Sequence, residues 1–235
     1  MKTPASTPAS RRARFPTIFE RFSTQFGTAA SNPALKAERA TNYELGVSRN
    51  FGALNIEGAL FYSDIQDAIV SVRPAGFPAN SSQRQNLGDA EYYGAEIALT
   101  ARLAPSFSIG ANYTYIHRDF EVTGAAPGTV VPVFALTGVP AHKAFLYAEW
   151  KPLAGLRVLP SIDIASDRTT STTAATPVYY RTGSYVQANL RIDYAVTETI
   201  EIGLGARNLF DDYYILTDGF PEPGRSFFLS ARAKF

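Results

Sequence analysis

Every second residue at the C-terminal end of the chain belongs to one list. Phe227, Leu229, Ala231, Ala233 and Phe235 are all apolar, and the residues between them, Ser226, Phe228, Ser230, Arg232 and Lys234, are mostly polar. A period of two marks a β-strand with one apolar and one wet face. The pattern recurs upstream. Val186, Ala188, Leu190, Ile192 and Tyr194 alternate with Gln187, Asn189, Arg191 and Asp193, and Phe107, Ile109, Ala111, Tyr113 and Tyr115 alternate with Ser108, Gly110, Asn112 and Thr114. Ala95, Ile97, Leu99 and Ala101 do the same with Gly94, Glu96, Ala98, Thr100 and Arg102. Stretches 43–49, 54–62, 143–150, 156–165 and 200–207 read likewise. About nine strands are predicted, each close to the roughly 9–11 residues that a tilted strand needs to cross a bilayer.

The connections alternate too. Short ones fall at 51–53, 104–106, 152–155 and 195–199. Long ones, rich in Gly, Pro, Ser, Thr and Asp, fall at about 64–92, 117–141, 166–184 and 211–224. Short turns on one side and long loops on the other are how outer-membrane barrels are arranged. A soluble sandwich suits the alternation equally well, but it has no reason to keep that asymmetry through four hairpins. The predicted fold is therefore all-β, an antiparallel transmembrane barrel.

Cost decides which face meets lipid. Turning the 186–194 strand over would put Arg191 and Asp193 into hydrocarbon, at about 2–4 kcal/mol for one Arg near the midplane. The apolar list must face out, and Glu44, Glu57, Glu96, Asn112, Gln187, Arg191 and Lys234 then line a wet interior. Tyr43, Phe51, Phe107, Trp150, Tyr194 and Phe235 sit at strand ends, where barrels carry aromatic girdles.

Composition narrows the chemistry. Charged residues are 18% of the chain and the net charge is +1, which gives no electrostatic case for nucleic acid. There is no cysteine, so disulfides, thiolate zinc sites and cysteine nucleophiles are excluded. No apolar run is long enough for a transmembrane helix. His117 and His142 lie 25 residues apart, without a second histidine at i+3 or i+4, so no metal site is expected of them. Asp211 and Asp212 read as solvated loop charges. No Gly-x-Ser-x-Gly or phosphate-loop pattern occurs, so no enzyme and no cofactor are expected. The opening MKTPASTPASRRARF lacks the apolar core of a signal peptide. It points either to a cytoplasmic protein or to a start that is not the natural one.

Several stretches resemble the TonB-dependent outer-membrane receptors. NPALKAERATNYELGV (32–47) is similar to that family's segment opening on Asn-Tyr-Glu-Leu-Gly, and LFYSDIQDAIV (60–70) to the strand that follows. NLGDAEYYGAEIAL (86–99) resembles its Gly-x-Glu strand. ARNLFDDYY (206–214) with PGRSFFLSARAKF (223–235) resembles its closing hairpin. Each motif is weak alone; their order covers nearly the whole chain.

The resemblance implies more. The last strand, with Phe227, Leu229, Ala231, Ala233 and a terminal Phe235, would be the signal read by the outer-membrane assembly machinery. Family members carry an N-terminal plug, a TonB-binding box and 22 strands. The chain is therefore expected to be the C-terminal part of a larger, 22-stranded barrel. Residues 1–42 are expected to be an extracellular-loop-like or non-native N-terminal segment, and 43–235 the C-terminal portion of the barrel. On its own it should not transport. Partners implied are outer-membrane lipid of a Gram-negative bacterium and, in the full-length receptor only, the TonB complex. The ligand implied is a ferric siderophore or a cobalamin-like large solute, taken up actively. Arg84, Tyr92, Tyr93, Arg118, Arg168, Tyr179, Arg181, Tyr213 and Tyr214, read as loop residues, are the ligand-binding candidates, because Tyr and Arg combine contact area with directed donors. The alternative is a small self-contained outer-membrane barrel acting as a binding or adhesion module, with 14–26 as an extra strand.

Overall fold

The computed structural model describes residues 5–22, 24, 28–133, 135–173 and 177–234. Ten long strands form one antiparallel sheet: β1 (Ala5–Arg14), β3 (Glu38–Asn50), β4 (Leu54–Val72), β5 (Ser82–Ala104), β6 (Phe107–Val122), β7 (His142–Trp150), β8 (Leu156–Ala165), β11 (Tyr185–Ala195), β12 (Ile200–Arg207) and β15 (Ser226–Ala233). The short β2 (Ala29–Ala30) adds a parallel pairing to β5 at Ser82 and Gln83. Two hairpins stand apart, β9 (Arg168–Ser171) with β10 (Tyr179–Thr182) and β13 (Ile215–Thr217) with β14 (Phe220–Pro221). Helix α1 spans Ile18–Phe22. Among the described residues, no helix is long and apolar enough to cross a membrane.

All nine expected strands are present, and each long strand pairs with its sequence neighbour in the sheet. The path from β1 to β15 is open, with no pairing between its two ends among the described residues. The small self-contained barrel is thus not the architecture formed.

The register puts the apolar list outside. Cross-strand partners share a face, so Tyr43, Tyr62, Tyr93 and His117 stand side by side, as do Leu204 and Leu229. Leu45, Val47, Leu60, Ile97, Ile109, Leu146, Ile162, Val186, Leu204, Phe227 and Leu229 are exposed, Leu229 by 75%. That apolar surface needs lipid, not water. Phe235 lies outside the described residues.

The inner face is polar but lined by rings wherever a glycine faces one. Phe61 lies opposite Gly94, Tyr147 opposite Gly110 and Phe228 opposite Gly205. A Cβ at Gly110 would fall 2.2 Å from the Tyr147 ring, and one at Gly205 2.1 Å from the Phe228 ring. The absent side chains let the rings lie flat along the wall, so bulky residues do not fill the interior. Nearer the turn end, Asp193 is 2% exposed and accepts from Arg191 Nε at 2.8 Å and from Arg157 Nη2 at 3.3 Å. Arg157 reaches Glu201 at 3.0 Å, and Arg232 lies 3.9 Å from the same carboxylate. The four strands that carry these groups, β8, β11, β12 and β15, are thereby cross-linked.

Pro160 sits mid-strand in β8, where a missing N–H would break a ladder. The β7–β8 register runs through Tyr147↔Ser161 and resumes only at Trp150↔Val158, so the gap falls where Pro160 has no hydrogen to give.

Two expectations need correction. The stretch 64–92, read as a loop, is largely strand, since β4 continues to Val72 and β5 begins at Ser82, and the start of 117–141 is strand too, since β6 continues to Val122. The connections shrink to 73–81 and 123–141. Above the girdle the outer face no longer meets lipid, so its positions turn polar (Asp64, Glu91, Asp119) while backbone pairing continues. Residues 5–14, expected within a loop-like segment, form β1, which pairs with β3 through Arg14↔Glu38 and Arg11↔Thr41. Only 15–37, with α1, connects strands there.

Candidate functional site

The long-loop end of the inner face holds a cavity of about 800 Å³. Its floor comes from the inward positions of β3, β4, β5 and β6, namely Ala40, Ile65, Ala90, Tyr92 and Phe120. Its roof comes from Pro132, Val133 and Leu136 of the 123–141 connection and from Pro177 and Tyr179 beside the β9–β10 hairpin. Arg12 and Arg14 of β1 close one side. Arg14 is committed, to Glu38 and Glu20 at 2.8 Å each. Neither Arg12 nor Arg39, which also lines the cavity, enters an ion pair among the described residues, so two cations border a mostly apolar pocket with the hydroxyls of Tyr92 and Tyr179. Such concave, apolar sites with sparse polar groups suit small-molecule ligands.

The roof is tied down. Arg73 and Val130 form an isolated bridge, and Arg118 Nη2 donates to the Val139 carbonyl at 3.3 Å. The two hairpins meet where the Tyr180 hydroxyl donates to Asp218 Oδ1 at 2.6 Å, a bond that raises the phenol pKa. Arg181 Nη2 donates to Asp167 at 2.7 Å, which holds that carboxyl below its ordinary value.

The nine candidate residues do not form one site. Tyr92 and Tyr179 line the cavity. Tyr93 points outward and stacks on His117 at 4.8 Å, making it part of the girdle. His142 joins the same outer face, its Nδ1 2.8 Å from the Tyr113 hydroxyl. Arg84 lies over the Phe19 ring at 5.9 Å and 3.7 Å from Glu20, so it fastens α1 to β5. Arg118 and Arg181 brace loops. Tyr213 is 78% exposed and lines none of these depressions.

Arg168 and Tyr214 meet around a residue that the pattern did not single out. Tyr185 is buried, with Arg168 over its ring at 5.4 Å and Tyr214 stacked on it at 4.3 Å. Arg168 is only 8% exposed, and its Nε and Nη2 have no hydrogen-bond partner among the described residues. Below this stack, Gln187, Asn189, Arg191, Arg207, Tyr214 and Glu222 line a polar depression of about 490 Å³ on the inner wall. Sequence reasoning also missed Arg12, whose segment shows no apolar alternation. The Ser10, Arg12, Arg14 spacing against Arg11 and Ala13 was the available signal.

Residues 9–209 match the sequence model of the family described as TonB dependent receptor-like, beta-barrel. The chain belongs to the TonB-dependent receptor family. It is 26% identical over 220 residues to the iron-regulated outer membrane virulence protein of Vibrio cholerae, covering 89% of this chain and 33% of that one. It is 24% identical over 194 residues to the probable TonB-dependent siderophore receptor PiuA of Acinetobacter baumannii, covering 79% of this chain and 25% of that one. The chain thus spans about a third or less of the length of these relatives. Among solved structures, the ferric-catecholate import receptor Fiu of E. coli K12 superposes with a TM-score of 0.73 at 20% identity, covering 97% of this chain and 32% of that one. The receptor sheet described above is therefore barrel wall, and it resides in the outer membrane of a Gram-negative bacterium.

Proposed function

We propose that the chain supplies the C-terminal portion of the barrel of a receptor for active uptake of ferric siderophores. The observation that carries this reading is the cavity at the long-loop end, where the unpaired Arg12 guanidinium adjoins Tyr92, Phe120 and Tyr179. A cation beside aromatic faces fits an anionic chelate that bears rings. Names of relatives support the same cargo class, one iron-regulated and one a probable siderophore receptor. The fold alone does not choose the cargo, since a copper transporter, OprC, shares it at a TM-score of 0.72. A cobalamin-like solute is the second candidate for the same pocket.

In this reading the polypeptide works with a TonB complex for energy. The outer face of β15, with Phe227, Leu229, Ala231 and Ala233, serves the assembly machinery together with the terminal residue Phe235. The test is uptake of radiolabelled iron from a ferric siderophore by iron-starved cells that depend on this receptor. Combining Arg12→Gln with Tyr92→Ala and Tyr179→Ala should cut uptake by about tenfold or more while the amount assembled in the membrane stays level. Unchanged iron uptake, with cobalamin uptake lost instead, would transfer the site to the second cargo.

A further inference from the structure

The floor of the cavity rests on an irregularity in β4. Between Ile65 and Ile69 the pairing with β5 slips by one residue on β4 and then by one on β5: Ile65 pairs with Ala90, Ala68 with Gly88 and Ile69 with Asn86. Asp67, inside the bulge, has a φ of 58°, in the left-handed region that few residues besides Gly, Asn and Asp enter. Bulges re-aim side chains beside binding sites, and Ile65, Ala68 and Ile69 all reach the cavity wall here. Gly88 completes the floor. A Cβ there would fall 2.8 Å from the Phe120 ring and 2.9 Å from the Ala68 Cβ, so the bare glycine lets the ring settle on the bulge.

A backbone in a sparsely populated region persists where its surroundings hold it, and two side chains do so. Asn86 Nδ2 donates to the Asp67 carbonyl at 2.7 Å, and Asn86 Oδ1 accepts the Lys36 amide at 2.7 Å. Glu38 Oε1 accepts the Ile69 amide at 2.9 Å, while its Oε2 accepts Arg14 Nη1 at 2.8 Å. The bulge is gripped from both sides, by β5 and by β3. Glu38 also borders the cavity, where an unengaged carboxylate would repel an anionic cargo. Both of its oxygens are occupied instead. Arg14 is shared between Glu38 and Glu20, and Arg84 lies 3.7 Å from Glu20. These four charges balance, which leaves Arg12 and Arg39 to set the sign of the pocket.

We infer that Glu38 is a positioning residue for the cargo site: through the Ile69 amide and Arg14 it holds the β4 bulge in the shape that makes the cavity floor. This role presupposes that the cavity receives the chelate; the grip on the bulge does not.

Hydrogen exchange of the 66–70 amides in the complete receptor, without ligand, reads the grip. Glu38→Ala should speed it by about tenfold, the order expected for a lost hydrogen bond to a charged acceptor. Glu38→Gln, which keeps an oxygen for the Ile69 amide, should stay within about twofold of wild type. Uptake of a radiolabelled ferric tris-catecholate, in cells matched for assembled receptor, reads the cavity. Glu38→Ala should raise the half-saturating concentration by about tenfold and leave the maximal rate in place, and Glu38→Gln should restore wild-type uptake. A second pair leaves Glu38 and Arg14 intact and serves if Glu38→Ala does not assemble. Asp67→Val puts a β-branched residue at positive φ and should reproduce both effects, whereas Asp67→Gly, with the same change of charge, should show neither. Equal loss in Glu38→Gln and Glu38→Ala would make charge the cause and overturn the positioning role. Exchange at the wild-type rate in Glu38→Ala and Asp67→Val would overturn it whatever the cargo. Exchange in the expected order with uptake unchanged in every variant would move the cargo away from this cavity, and the role would fall with it.

Discussion

Below the girdle of Tyr43, Tyr62, Tyr93 and His117, the wall formed by β3 to β6 separates two different solvents; above it, both sides meet water. Below, outward Leu60, Ile97 and Ile109 alternate with inward Phe61, Glu96 and Gly110. Above, the outward row reads Asp64, Glu91, Asp119 and the inward row Ile65, Ala90, Phe120. Hydrogen bonding continues across the boundary, with two register shifts between Ile65 and Ile69. Strand pairing is thus a property of the backbone, while alternation reports only a difference in solvent between the faces. Above the girdle, the apolar side is the inside, under the loop roof, which is why the cavity lies there.

The most drastic break in this comparison comes from one charge placed at two heights on β5. Ile97→Arg puts a guanidinium in the apolar belt, where Ile97 is 42% exposed to what must be lipid. The cost is about 2–4 kcal/mol, a large share of the roughly 5–15 kcal/mol that holds a domain together. Assembled protein in outer-membrane fractions should fall severalfold. Asp89→Arg, on the same outward face above the girdle, should assemble at wild-type levels. Equal loss at both positions would mean that the belt extends upward past Tyr93.

Legibility in the sequence follows the same boundary. The nine strands and their outward faces could be read because each crosses the bilayer. The continuations of β4, β5 and β6 could not, because past the girdle the pattern reverses, with Asp64, Glu91 and Asp119 outward and Ile65, Ala90 and Phe120 inward. Adjacent Tyr92 and Tyr93 make the point at one step. Both were read as loop tyrosines, yet a strand must send neighbours to opposite faces, and one lines the cavity while the other joins the girdle. Arg12 escaped notice for a related reason: β1 pairs with β3 through residues with no apolar list. Tyr185 was invisible because its role depends on Arg168 and Tyr214 arriving from separate hairpins.

A smaller effect is expected within the bilayer-spanning half, where the inner face is governed by fit rather than by solvent. Gly110→Ala brings a methyl to 2.2 Å from the Tyr147 ring, directly opposite. The ring must swing into the interior or the strands must shift, at about 1–3 kcal/mol for overpacking. Midpoints of unfolding in denaturant should drop for Gly110→Ala. They should recover substantially when Tyr147→Ala is added, since the clash partner is gone. A double variant no better than the single would place the cost in the backbone and not in the ring.

The smallest effect lies highest above the girdle, where α1 is fastened. Thr17 and Glu20 form a reciprocal cap: the Glu20 amide donates to Thr17 Oγ1 at 3.1 Å, and the Thr17 amide donates to Glu20 Oε2 at 2.7 Å. That amide first, and then the Arg14 guanidinium, hold the Glu20 carboxyl at about 2, below its ordinary 4.5. A carboxyl whose folded value is depressed stabilises the fold above the unfolded value and loses that contribution as pH falls toward the folded one. The cap should therefore be fully effective above pH 4.5 and fade between about 4.5 and 2. Such caps contribute about 1 kcal/mol, which corresponds to roughly fivefold in local opening. Hydrogen exchange of the 15–22 segment, corrected for intrinsic rates, should accelerate by about that factor on going from pH 5 to pH 2.5. In Glu20→Gln the segment should already be faster at pH 5 and show little further change. Matching pH dependence in the variant would assign the loosening to other carboxylates and remove Glu20 from the account.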